Sequence, residues 1–378
     1  MTLWSVRIIV LLRLFSSVAY AKVTSDSSST LRFVHVVWRH GARTPFKNFL
    51  LDNNIWAWKE GPGELTSLGL SQQYDLGAYL RKRYIDTKFL SPHYSASEIY
   101  LRSSIHSRTT KSAKANMVGF YSLSSKSEIG EAIMSQPVPV DTSHSFVIDV
   151  EAPCSTADRF RNDAIRKSID IEKIDEGNKN FFQFLTNKTN FHLTSCMNVS
   201  TIYDPLMCEK VSQRKWPDWV TSDIFEKLSD LYGISWSFWY NDPAVLRLRG
   251  GPLIREIAVR SANKALKVIP PEGMKYYAYS GHDHTIVSLL TQLGAFNARV
   301  PPFASAVILE LHEKPVDHFF VKGFYINETG SENPHPIIMT KCNGLQCDLK
   351  DFVALAIENS LEAEDRSYEC SSSVKRTL

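Results

Sequence analysis

The chain has 378 residues, 43% of them apolar and 22% charged, with 17 glycines, 17 prolines and a formal net charge of +3. These are proportions of a globular protein of one large domain or two smaller ones, which excludes a disordered chain, a collagen-like repeat and a disulfide-dense miniprotein. The charge is too balanced for a nucleic-acid partner, which needs a concentrated basic field.

Residues 1–21 read as a cleavable secretory signal: Arg7 supplies positive charge, Ile8 to Leu12 begin an apolar run, and Ala19-Tyr20-Ala21 is a small-x-small cleavage site. Arg13 interrupts the run, which falls short of the roughly 20 apolar residues a membrane span needs. No later segment has that length, so no membrane association is expected after cleavage. Residues 31–38 (LRFVHVVW) read as a buried strand, with His35 as a core histidine. A loop follows over 39–45. Residues 65–85 carry Leu65, Leu68, Leu76, Tyr79 and Leu80 at helical spacing behind Thr66, an N-cap. Residues 98–102 read as a short strand and 107–120 as a helix. The stretch 150–250 is rich in charge and aromatics and reads as helical, with Trp216, Trp219, Trp236 and Trp239 as packing residues. Residues 276–279 read as a strand, 280–284 as a turn, 285–293 as a helix, and 307–312 and 319–326 as strands. Strands alternating with helices at both ends predict a three-layer α/β/α sandwich with a mainly parallel sheet. The α/β domain spans 22–150 and 250–378, and residues 151–249 form an inserted helical cap.

Six cysteines is an even number, as export into an oxidising compartment would give. Of fifteen connectivities, spacing favours Cys342 with Cys347 and Cys196 with Cys208, which leaves Cys154 with Cys370. Asn187, Asn198 and Asn327 each open an N-glycosylation sequon.

Three strand ends carry chemistry. Arg39-His40-Gly41-Ala42-Arg43-Thr44-Pro45 sets two guanidiniums, which bind phosphate in a bidentate fork, beside one imidazole. Gly41 allows close backbone approach to a ligand. Arg108 opens the second helix, where anions are favoured. His282-Asp283 offers a hydrogen-bond donor and a general acid.

Together these segments resemble the histidine acid phosphatase family, branch-2 relatives of the phosphoglycerate mutases. Residues 39–45 match RHGxRTP in full, Gly63-Glu64-Leu65-Thr66 with Gly69 and Gln72 matches GxLTxxGxxQ, and His282-Asp283 matches the distal HD pair. The likeness covers about residues 30–370. It implies a phosphoglycerate mutase-like fold and a secreted or lysosomal acid phosphatase acting on phosphate monoesters, as a homodimer, with no metal and no cofactor. His40 would be the nucleophile, Asp283 the general acid, and Arg39, Arg43, Arg108 and His282 the phosphate ligands. The chain departs from the pattern at Ser107, where the family often has an acidic residue, with His106 before it, and at His284, which follows the HD pair.

Other readings fit less well. Gly281-His282-Asp283-His284 matches the GHxH of metal phosphoesterases, but the chain has no Gly-Asp dipeptide and no GNH to complete such a site. A cytosolic transferase of the same superfamily disagrees with the signal and cysteines. A secreted binding protein on this fold would have lost His40, an arginine or Asp283, and all are present. A phytase would need extra cations, for which the cap offers Arg159, Arg161, Arg166 and Lys167.

Overall fold

The computed structural model describes residues 30–49, 54, 57–122, 126–135, 138–268, 273–315 and 317–371. The signal expected over residues 1–21 lies outside them. In chain order the elements are β1 (Leu31–Arg39), α1 (Ser67–Tyr84), β2 (Ile99–Ser103), α2 (Ser107–Tyr121) and α3 (Ile129–Ser135). The helices α4 (Ser155–Arg166), α5 (Ile169–Thr189), α6 (Ser200–Val211), α7 (Ser222–Trp239) and α8 (Pro243–Ala265) follow. The chain then forms β3 (Tyr276–Gly281), α9 (Asp283–Gln292), β4 (Ala306–Lys314), β5 (His318–Ile326), β6 (His335–Ile337), β7 (Cys347–Asp348), α10 (Leu349–Glu358) and α11 (Ala363–Ser371).

The sheet runs β2-β3-β1-β4-β5-β6, with β7 paired to β5. β1 is buried from Phe33 to Arg39, as expected of a strand covered on both faces. One face packs Val34, Val36 and Trp38 under α1 and α2. The other packs Phe33 and Val37 under α8, α9 and α10. The layers are therefore those expected, but the sheet is mixed rather than mainly parallel. Only β1–β3 and β2–β3 are parallel, while β1–β4, β4–β5, β5–β6 and β5–β7 are antiparallel. The reason is local: Lys314 and His318 are paired across β4 and β5, a connection far too short for a parallel crossover.

Between β2 and β3 the described regular structure is helical, and α5, α6 and α7 enclose an apolar cluster of their own around Phe182, Leu185, Leu206 and Leu228. Trp236 is buried, and Trp216, Trp219 and Trp239 pack against these helical clusters. The expected boundary at residue 249 lies within α8, which Asp242 caps and Pro243 opens. That helix runs on into the α/β layer against α9 and α10.

Cys154 pairs with Cys370 and Cys342 with Cys347, as spacing favoured. Cys196 and Cys208 are instead buried free thiols, which corrects the third expected pair. Cys196 sits in a short turn before α6 and Cys208 near its far end. The two thiols pack in different apolar clusters, Cys196 with Phe182 and Leu185 and Cys208 with Ala42 and Phe303, and two turns of α6 separate them.

Candidate active site

Because β1, β2 and β3 run parallel, their carboxyl ends meet at one edge, the place where open α/β sheets bind ligands. Arg39 ends β1 opposite Gly281 of β3, and the His40 N–H donates to the Gly281 carbonyl at 2.9 Å. His40 and His282 thus leave adjacent strands together, their ring centroids 5.7 Å apart. The amino ends of α2 and α9 face the same edge and add partial positive charge.

The loop after β1 is gripped from behind by α1. Gln73 donates to the Arg39 carbonyl at 2.8 Å, and the Ala42 N–H donates to Gln72 at 2.7 Å. Thr66 donates to the Ala42 carbonyl and also caps α1. The backbones approach so closely that a Cβ on Gly41 would lie 2.2 Å from the Gly69 carbonyl oxygen. The GxLTxxGxxQ residues therefore act by fixing the backbone that follows His40.

His40 is buried, and its Nδ1 lies 2.8 Å from the Gly41 carbonyl. A carbonyl can only accept, so Nδ1 carries the proton and Nε2 keeps its lone pair. Burial, then Arg108, Arg39, His282 and Arg43, hold the His40 pKa well below the ordinary value. Burial and the surrounding cations thus favour the neutral imidazole.

Each arginine is positioned differently. Arg39 pairs with Asp283 at 2.8 Å, donates to the Pro301 carbonyl and lies over Phe303, 4.2 Å from the ring centroid. Arg43 makes a bidentate contact to Asp204 of α6, at 2.8 and 3.2 Å. Burial works against the Arg43 charge, but Asp204 outweighs it and the pKa rises. Arg108 donates to His282 Nδ1 at 3.3 Å, and burial and then Arg43 push its pKa down to about 10. A crowded guanidinium of this kind gains from any anion that enters. Ser107 takes up no acidic role. Its hydroxyl donates to Glu64 at 2.8 Å, and Glu64 also bonds Lys111 and supplies negative charge near Arg108.

A guanidinium cannot accept, so His282 Nδ1 carries the lone pair and Nε2–H donates to Ser104 at 2.9 Å. Burial alone would raise the Asp283 pKa, yet Arg39, with His284, His40 and Arg43, holds it well below the usual carboxylate range. The ligand-free carboxyl is therefore ionised. His284 turns away into a box of Trp236, Trp239 and Tyr240, where its Nδ1 lies 2.9 Å from a Tyr240 hydroxyl that donates to Glu151. His35 is a buried core residue beside Tyr279.

All six site residues anticipated from sequence converge here. Asp204 and Phe303 were missed, because neither belongs to a local motif: they arrive from α6 and from the loop before β4. Among the described residues, His106, Asp149 and His282 form the one grouping spaced to hold a metal ion, with ligand atoms within 4.8 Å of one another. Arg108 already stands beside it as a cation. Of the cap cations, Arg161 is tied to Glu151 and Asp158, and Arg166 to Asp163.

Comparison with known proteins gives the chain's family. The chain is 37% identical over 318 residues to "Putative acid phosphatase 5" of Caenorhabditis elegans, covering 83% of this chain and 74% of that protein. It is 33% identical to the lysosomal acid phosphatase of Xenopus laevis (94% of this chain, 81% of that protein) and 33% identical to human prostatic acid phosphatase (90% and 88%). Hafnia alvei phytase, solved in complex with tartrate, shares the fold at a TM-score of 0.72 and 16% identity, over 90% of this chain and 99% of that one. The family model for the histidine phosphatase superfamily (branch 2) matches residues 30–326. The phosphatase-like edge of this sheet thus belongs to a chain that is itself a member of histidine phosphatase branch 2.

Proposed function

We propose that the chain hydrolyses phosphate monoesters through a phosphohistidine, with His40 as nucleophile, Arg39, Arg43 and Arg108 holding the phosphoryl oxygens, and Asp283 as proton donor; His282 joins the arginines once Arg108 turns to the phosphate, by the tautomer in which Nε2 accepts from the Ser104 hydroxyl and Nδ1–H donates to a phosphoryl oxygen. One observation carries this reading: Nδ1–H of His40 is committed to Gly41, so a neutral Nε2 lone pair lies among guanidiniums. Phosphoryl transfer asks the protein mainly for position and charge stabilisation, and three arginines supply both. Nε2 attacks phosphorus as the ester P–O bond breaks, and the leaving oxygen takes the proton of Asp283. Water then attacks phosphorus and gives a proton to the Asp283 carboxylate. The N–P bond breaks and its electron pair returns to Nε2.

The proton on Asp283 has to arrive with substrate, since the free carboxyl is ionised. An ester bound as its monoanion carries that proton in. As Arg39 turns to the phosphoryl oxygens it releases Asp283, and burial then favours the neutral acid. Activity falls as pH rises through the ester's second ionisation, near ~6. Below that pH the lowered His40 pKa favours the unprotonated nucleophile. An acidic optimum follows.

The named acid phosphatase relatives support this class. With Arg161 and Arg166 already paired to carboxylates, we favour a broad phosphomonoesterase over a phytase. Two disulfides, the leader read over residues 1–21, and the lysosomal and prostatic relatives support a secreted or lysosomal location. Asn187 and Asn198 are exposed and available for glycans, while Asn327 is half-buried. Residues 151–249 would act as the cap, contributing Asp204 to the site. The test is a panel of phosphomonoesters across pH 4–8 with EDTA present, beside His40→Ala. Turnover that survives EDTA and is lost with His40 is expected. Turnover in His40→Ala equal to wild type would overturn the reading.

A further inference from the structure

Phe46 leaves half its surface to solvent, 50%, whereas Phe49, three residues on, is fully buried. Its ring nevertheless stands against the site. The Arg43 guanidinium carbon is 4.1 Å from the ring centroid and that of Arg108 is 5.1 Å away. One aromatic ring is thus shared by two of the groups that would grip the phosphoryl oxygens.

The ring is held in place. Pro45 restricts the backbone before it, and the Phe46 N–H donates at 3.3 Å to Asp204, the carboxylate that grips Arg43. On the other side lies Gly63, in the left-handed region at φ +70°, where a Cβ would come 2.6 Å from the Phe46 ring. A side chain at residue 63 would displace the ring, so the first glycine of the GxLTxxGxxQ element gives Phe46 room. An exposed aromatic so fixed, beside two cations, offers a rigid apolar surface at low entropic cost.

A phosphate oxygen bonded to a guanidinium lies about 3 Å from its nitrogen, so the ester substituent emerges within reach of a ring 4–5 Å from the same guanidiniums. We propose that Phe46 forms a leaving-group subsite for flat aromatic groups, making aromatic phosphomonoesters the preferred substrates of this site. The proposal rests on the phosphomonoesterase reading above. Stacking on a fixed ring is already present in the ground state, so its effect falls mainly on KM.

The test compares benzyl phosphate with butyl phosphate, which leave as alkoxides of similar basicity and differ in the ring. Phe46→Ala should lower kcat/KM for benzyl phosphate about tenfold, the upper part of what aromatic pairs contribute, and for butyl phosphate less than about twofold. Phe46→Trp should keep the wild-type preference for benzyl phosphate. Equal losses on both esters in Phe46→Ala would mean that the ring only steadies the arginines, and would overturn the subsite while leaving the phosphatase reading intact. Failure of the wild-type protein to hydrolyse either ester would overturn both.

Discussion

Asp283→Asn separates a proton donor from a structural partner. Asp283 accepts from Arg39 at 2.8 Å and from the His284 N–H at 2.9 Å. Asn has nearly the same shape and can keep one of these bonds, but it has no acidic proton to give. For an alkyl ester, whose alkoxide leaves poorly, loss of general acid catalysis should slow turnover about 10²–10⁴-fold. For p-nitrophenyl phosphate, whose leaving group departs as a stable anion, the loss should stay within about tenfold. The substitution also strips a buried guanidinium, only 4% exposed, of its counter-charge, and breaking such a pair destabilises by up to roughly 3–5 kcal/mol. Thermal unfolding of the variant measures that effect separately. Because both esters meet the same variant, partial unfolding cancels from their ratio. Equal slowing of both esters would refute the argument and leave Asp283 as the residue that merely holds Arg39.

The remaining expectations concern groups outside the sequence motifs. Asp204→Asn removes the carboxylate charge that fixes Arg43, so KM for esters and Ki for inorganic phosphate should both rise about tenfold, with kcat changing less. An unchanged Ki would show that Arg43 needs no anchor. Glu310 is buried with its partners His312, Arg83 and Tyr84, which overcome the effect of burial and pull its pKa from 4.5 down to about 2. A depressed carboxyl stabilises above its unfolded value and loses that contribution as pH falls, here between about 4.5 and 2. The contribution is on the order of 3 kcal/mol. Glu310→Gln should therefore flatten the pH dependence of unfolding in that window. A slope as steep as wild type would contradict the assignment.

What could be read from sequence was what is contiguous in sequence. A strand that runs into RHGxR fixes both His40, the proposed nucleophile, and its neighbouring cations, because the strand end dictates where the next residues emerge. The HD pair is legible for the same reason at β3. Asp204 carried no such signal: it is one acidic residue in an insert, and only the packing of α6 brings it to Arg43. The compensation at Ser107 was likewise hidden, since Glu64 lies 43 residues earlier and reaches Ser107 only when α1 packs on α2. Periodicity located β4 and β5 but not their direction, which depends on the length of the turn. Short elements such as β6, β7 and α11 have too few residues for a hydrophobic pattern. The free thiols were misread because short spacing in sequence says nothing about the helix that intervenes.

The most direct measurement of the central claim is a denaturing quench during turnover of a labelled phosphomonoester, followed by peptide mapping under alkaline conditions that preserve phosphohistidine. The account predicts label on the peptide containing His40, attached at Nε2, and none in His40→Ala. Label on another residue, or steady turnover with no covalent phosphoprotein at any quench time, would contradict it.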